Sequence, residues 1–189
     1  MEYTIKEKDE RRSRKIFLII FYLCATCMAL ITAYSLYVSI DEYIKTGRVV
    51  IGEVLVNTEF PFQGLAKLVT YLMIVSVVGW YCVTKLGGDK VRNIPDPIKA
   101  ILQLIVISIA IISLYEFIYN FIVWNSLITA DIIHGIFRLD DINLPYPNPK
   151  VPWNLVFATK MSLAAFLISV HGVYTISRHK NTSQRSKNR

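Results

Sequence analysis

The sequence predicts an all-α integral membrane protein, built as a bundle of four transmembrane helices. The first observation is composition: 53% of the 189 residues are hydrophobic, which is more than a soluble domain of this size usually contains. The second is the presence of four apolar segments that reach the roughly 20 residues a helix needs to cross a bilayer. The third is the distribution of basic residues, which indicates that both termini are cytoplasmic.

The four predicted spans are helices and not strands of a barrel. They are Ile16–Ile40, Leu65–Thr84, Ile98–Trp124 and Trp153–Ile176. None alternates with a period of two, and each is longer than the ~10 residues of a barrel strand. The first span also exceeds the roughly 7–15 apolar residues of a secretory signal, so we expect a retained signal anchor.

Lysine and arginine are concentrated in alternate connections. The leader (1–15) contains six, the inner loop (85–97) together with Lys99 contains four, and the tail (177–189) contains five, whereas the two outer loops (41–64 and 125–152) contain four between them. Short segments rich in these residues resist translocation. The sequence therefore predicts a multi-pass protein of the cell membrane with both termini in the cytoplasm.

The basic termini flank a membrane domain of residues 16–176. The leader mixes its cations with acidic residues, and the tail lacks the interleaved aromatic residues that stack on bases, so we do not expect nucleic acid as a partner. Anionic lipid head groups account for the basic termini instead. The tail is expected to be disordered, and the lipid bilayer is the first predicted partner.

The two outer loops carry apolar residues of their own. In the first loop, Gly47 is expected to end a helix in a left-handed conformation, and the runs Val49–Ile51 and Val54–Val56 are expected to form a small hairpin or to lie along the membrane. In the second loop, Ser126–Leu139 has the spacing of a short amphipathic helix at the outer interface. The proline-rich stretch that follows is expected to be extended.

One acid and one base stand out within the spans. Glu116 lies eight residues before Trp124, and Lys160 lies seven residues after Trp153, which places them roughly 12 Å and 10 Å below the outer surface. Intramembrane charges usually face the protein interior and pair. The sequence therefore predicts an interhelical ion pair between Glu116 and Lys160, with possible polar support from Tyr119 and Asn120 on the same helical face as the acid.

Three interpretations of these charges remain open. The pair is a lock between the last two spans, or one of its members docks a charged residue of another subunit, or Glu116 is a proton or cation relay. A relay requires a polar path to the other side of the membrane, and the inner half of the third span offers only Gln103, Ser108 and Ser113.

A second candidate constellation consists of three cysteines and a histidine in the inner half of the bilayer. Cys24 and Cys27 share one face of the first span, and Cys82 and His171 lie toward the inner ends of the second and fourth spans. Zinc accepts such ligands, but their estimated depths differ, and a buried free cysteine otherwise behaves as a small hydrophobic residue. We therefore expect no metal cofactor here.

The second outer loop holds a further weak candidate for a cation site. Asp131 and His134 are three residues apart, and their side chains could ligate a cation. On an interfacial helix, such polar residues more often face water.

The sequence lacks enzyme signatures such as a nucleophile elbow, a P-loop or a His-Glu-x-x-His motif. The first and third spans are apolar around their circumference, as expected of surfaces that face lipid or other transmembrane subunits. The sequence thus favours a non-catalytic accessory subunit of a larger membrane complex, such as an oxidase, a monooxygenase or a respiratory assembly. The alternatives are a small transporter or channel protomer that uses Glu116, and a metal- or redox-linked membrane protein that uses Cys24, Cys27, Cys82 and His171.

Overall fold

The computed structural model describes residues 2–47, 50–62, 65–92, 94–135 and 151–187. Within these ranges the chain forms five helices and no strand: α1 (Glu2–Thr46), α2 (Glu53–Asn57), α3 (Leu68–Arg92), α4 (Asp96–Ile133) and α5 (Leu155–Lys187). The all-helical prediction is confirmed.

Four of the helices contain segments that are long and apolar enough to cross a membrane: Asp9–Thr46, Leu68–Gly88, Asp96–Ile133 and Leu155–Ser177. They coincide with the four predicted spans. All four helices continue beyond the predicted C-terminal limits, whereas α3 and α5 begin at Leu68 and Leu155, after the predicted starts at Leu65 and Trp153. The segments in α1 and α4 have 38 residues each, which corresponds to about 57 Å of helix. Both therefore project beyond a hydrocarbon core about 30 Å thick.

The long helices are arranged in an open row, in the order α1, α3, α5, α4. Helix α3 packs against α1 on one side and α5 on the other, and α4 packs against α5. Within the described ranges, the backbones of α1 and α4 do not approach each other. The four-helix bundle is thus not closed into a ring, and its two outermost helices have only one long neighbour each.

Side-chain contacts define the helix directions. Gln103 of α4 lies beside Ser177 of α5, and Glu116 of α4 lies near Ser162, so these two helices are antiparallel. Helices α3 and α5 are parallel, because Thr70 meets Lys160 and Tyr81 meets His171.

The best-packed part of the molecule lies at the end predicted to face outward, around the short helix α2. Its residues Leu55 and Val56 are buried with Val69 of α3 and Val156 of α5. Side chains of α1 and α4, Ile31 and Trp124, also pack against this cluster. This end of the molecule therefore joins all five helices in one apolar core.

Two glycines shape the chain on either side of residues 48 and 49. Gly47 has φ +69° and its amide bonds to the Tyr43 carbonyl at 2.8 Å, so the predicted left-handed helix end is confirmed. Gly52 has φ +87°, and a Cβ there would overlap the ring of Phe157. Only glycine fits at this position, both by conformation and by space.

The hairpin predicted for the first outer loop does not form in the described residues. Val54–Val56 belongs to helix α2. Ile51 pairs with the segment before α5: its amide bonds to the Pro152 carbonyl at 2.7 Å, and the Asn154 amide bonds to the Ile51 carbonyl at 3.0 Å. Val54–Val56 is instead buried in α2, which packs against α1, α3 and α5.

The amphipathic helix predicted in the second outer loop is not a separate element. Residues 126–133 continue α4 without a break, and the helix ends at His134 before the left-handed Gly135. No proline or glycine interrupts the stretch, and Asn125, Ser126 and Thr129 each bond to the carbonyl four residues earlier. The helical periodicity was therefore correctly interpreted, but the boundary with the third span was not. Residues 136–139 of the prediction lie outside the described residues.

Candidate functional site

The ammonium group of Lys160 contacts α3 and not α4. It donates a hydrogen bond of 2.7 Å to Thr70 Oγ1. The salt bridges seen among the described residues, such as those of Lys45, Lys67 and Lys99, do not include one between Lys160 and Glu116.

The reason is rotation about the helix axis and not depth. Glu116 lines a groove with Met161 and Ser162, which immediately follow Lys160, so acid and base do lie at similar heights. Successive residues of a helix are about 100° apart around its axis. Lys160 therefore faces α3, while the residues after it face α4.

The groove between α4 and α5 is the candidate site. It has a volume of about 360 Å³ and is lined by Glu116 and Asn120 of α4 and by Phe157, Ala158, Met161 and Ser162 of α5, with Trp153 at its outer end. This size is at the lower limit of small-molecule pockets. The groove therefore accepts one or two side chains more readily than a large ligand.

Among the described residues that line the groove, Glu116 is the one acid, and it is exposed. Within the described residues it has neither a hydrogen bond nor an ion pair. The four residues opposite it on α5 are apolar except Ser162. The carboxylate thus stands at the surface of an apolar helix pair without a cation beside it.

The two residues expected to support Glu116 differ in their positions. Asn120 is 2% exposed and lies in the groove. Tyr119 is 48% exposed, and its ring stacks on that of Tyr115 with centroids 6.2 Å apart. Asn120 is therefore part of the site, while Tyr119 lies on an exposed face of α4.

From the groove toward the start of α4, helices α4 and α5 meet along a seam whose α4 residues are mostly small or polar. The α4 residues of this α4–α5 seam recur at intervals of three, four or seven: Lys99, Gln103, Val106, Ala110, Ser113 and Asn120. Gln103 Nε2 donates to Ser177 Oγ at 3.1 Å. A Cβ on Gly172 of α5 would lie 3.1 Å from Val106, which indicates a closely packed contact.

The sequence contained a signal for this seam that the interpretation of single polar residues missed. Gln103 and Ser113 are polar residues of the inner half of the third span, and their spacing is that of a packed helix interface. The partner of Lys160 was also missed. Thr70 carries no signal for that role, because a threonine near a helix end is common in any span.

The cysteines and His171 do not assemble into a metal site. Cys24 and Cys82 are buried where α1 and α3 pack, and Cys27 is partly exposed. The His171 ring lies against Tyr81 and Tyr174 instead, with centroids 5.4 Å and 6.4 Å away. The described residues contain no group of three or more histidine, cysteine or acidic side chains that could hold a metal ion.

Asp131 and His134 lie at the end of α4 beyond the predicted interface. Asp131 is partly buried and His134, the residue that ends the helix, is exposed. No third ligand joins them in the ranges described.

Comparison with known proteins gives no relative for this chain. No family model, curated protein or solved structure matches it.

Proposed function

We propose that the protein is a non-catalytic accessory subunit of a larger integral membrane complex in the cell membrane, such as an oxidase, a monooxygenase or a respiratory assembly. The observation that carries this proposal is the exposed Glu116 within the span of α4. A charge in hydrocarbon costs about 2.5–3.5 kcal/mol or more on insertion scales. Contact with another transmembrane chain would remove that cost.

The packing of the long helices supports the same proposal. In the most apolar window of α4, 6% of the residues are buried within the chain, and the same holds for α1. Lipid satisfies apolar side chains as well as protein does, so the apolar surface alone does not distinguish the two. The acid does distinguish them, because lipid tails offer it no hydrogen-bond donor.

The test is extraction of the tagged chain from its own membranes in mild detergent, followed by native electrophoresis and chemical cross-linking. We expect migration with unlike membrane proteins in a fixed ratio. Migration as a monomer or as a pure homo-oligomer would contradict the proposal. A harsher detergent that releases the chain serves as the control for complex size.

A second candidate function, an ion or proton site in a small transporter, is favoured by the opening of the same groove beside Glu116. The close contact of Gly172 with Val106 weighs against it, because a relay needs space or polar groups along the seam. Uptake in vesicles decides: loss of coupled uptake in Glu116→Gln would support transport, and unchanged uptake would exclude this role for the acid.

The proposed orientation has its own test. With both termini cytoplasmic, protease added to intact cells should leave terminal tags uncut and should cleave a tag inserted between residues 140 and 145 of the second outer loop. Cleavage of a terminal tag in intact cells would show that the orientation is the opposite of the proposed one.

Binding of the basic termini to anionic lipid is tested by vesicle sedimentation of terminal peptides with and without acidic lipid.

A further inference from the structure

We propose that the α4–α5 groove binds a transmembrane helix of an unlike subunit, and that this helix presents a lysine or arginine to Glu116. The inference rests on the proposed function and adds the site and the chemistry of the partner. It depends on the charge, the shape and the position of the groove.

The charge of the groove requires a cation. Glu116 is exposed in the membrane span and has no partner among the described residues, and Asn120 beside it is already 98% buried within the chain. Intramembrane acids are usually paired with a base. A basic side chain supplies both the countercharge and the hydrogen bonds that a carboxylate accepts.

The walls of the groove fit the stem of such a side chain. Phe157, Ala158 and Met161 form an apolar side opposite Glu116. Lysine and arginine bury their methylene stems against apolar surface while the charged end reaches a polar group, and methionine adapts its shape to a neighbour. An incoming base would therefore pack along α5 and end at the Glu116 carboxylate.

A second copy of the same chain is a poor source of this cation. Lys160, at the right depth, is partly buried and bonded to Thr70. Lys67 pairs with Glu59 at 3.8 Å, and Lys99 is 6% exposed near the start of α4. In the described spans, no lysine or arginine is presented at the surface at the height of Glu116, which favours an unlike chain as the source of the cation.

The experiment places a photoactivatable phenylalanine at Met161 in the full chain, expressed in its native membranes, and identifies the cross-linked peptide by mass spectrometry. The expected product is a transmembrane peptide of an unlike protein that contains a lysine or arginine. Introducing Glu116→Lys should reduce the yield about tenfold or more, because a charge-assisted contact is lost. Ile111→Lys, at an exposed position about 140° around α4, should leave the yield unchanged, as should Ile111→Gln.

A product with this same chain, with lipid alone, or with a span that lacks a base would overturn the inference, as would an unchanged yield in Glu116→Lys. Glu116→Gln provides a second variant that adds no new charge and should also reduce the yield. If the chain comigrates with unlike subunits but the groove gives none of the expected product, the inference fails and the proposed function stands. If it comigrates with nothing, both fail.

Discussion

The central helices α3 and α5 and the flanking helices α1 and α4 differ in how much of their surface the chain itself covers. In the most apolar windows of α3 and α5, 22% and 28% of the residues are buried, against 6% in each flanking helix. Each central helix has a long neighbour on both sides, and α2 packs against both of them as well as against α1. The chain therefore covers more of the apolar surface of its two central helices than of its two flanking helices, whose apolar windows stay mostly uncovered.

The largest effect on stability is expected at Gly52. Gly52→Ala places a methyl group on the ring of Phe157 and forces alanine into a left-handed conformation, and together these should lower the free energy of unfolding by roughly 2–5 kcal/mol. Gly47→Ala is the matched control, because its φ is also positive but no atom lies within 4 Å. It should lose about 1–2 kcal/mol.

Unfolding in mixed detergent micelles, followed by circular dichroism, measures both glycine variants. An equal loss in the two would show that α2 does not pack against Phe157.

The second largest effect on stability is expected for the contact of Lys160, and it distinguishes Thr70 from Glu116 as the partner of this lysine. Lys160→Met and Thr70→Val should show a coupling energy of about 0.5–3 kcal/mol in a double-mutant cycle, because their hydrogen bond crosses from α5 to α3. Lys160→Met and Glu116→Gln should be additive within about 0.5 kcal/mol. Coupling to Glu116 and not to Thr70 would restore the ion pair that the sequence suggested and would remove the free acid.

The third comparison uses two helical glycines whose surroundings differ. Gly172→Ala should destabilise the chain by about 1 kcal/mol or more, since Val106 must move to admit the new methyl group. Gly87→Ala has open space in α3 and should stabilise the chain by about 0.5–1 kcal/mol. The same unfolding assay gives both values, and two changes of the same sign would refute the tight α4–α5 seam.

The smallest effect on the isolated chain is expected at Glu116. Glu116→Gln changes an exposed side chain with no partner in the described residues, so the free energy of unfolding of the purified chain should change by at most about 0.5 kcal/mol. A loss well above that, measured in the same micelles, would mean that the acid supports the chain's own fold.

Length and hydropathy were sufficient to predict the four spans, and helical rise was sufficient to predict that Glu116 and Lys160 lie at similar depths. The direction in which each side chain points around its helix axis was not predictable, because successive residues of a helix differ by about 100°. Lys160 accordingly points to Thr70. The secondary structure of Val54–Val56 also depends on tertiary contacts. Its β-branched residues favour a strand locally, but burial against α1, α3 and α5 produces a helix.

The periodicity of the sequence likewise does not predict that the helices form an open row. Helix α4 is apolar on every face, and only the recurrence of Gln103, Ala110 and Ser113 marks the side that meets α5. The proposed association with another transmembrane chain depends on the faces of α4 that α5 does not cover.

Native mass spectrometry of the chain released from its own membranes in mild detergent tests the association most directly, with wild type and Glu116→Lys compared side by side. We expect the wild-type chain to be retained in a complex with at least one unlike transmembrane protein, and the variant to be released from it. If the wild type appears alone, or if charge reversal leaves an unlike complex intact, the acid on the flank of α4 does not hold this protein to a partner.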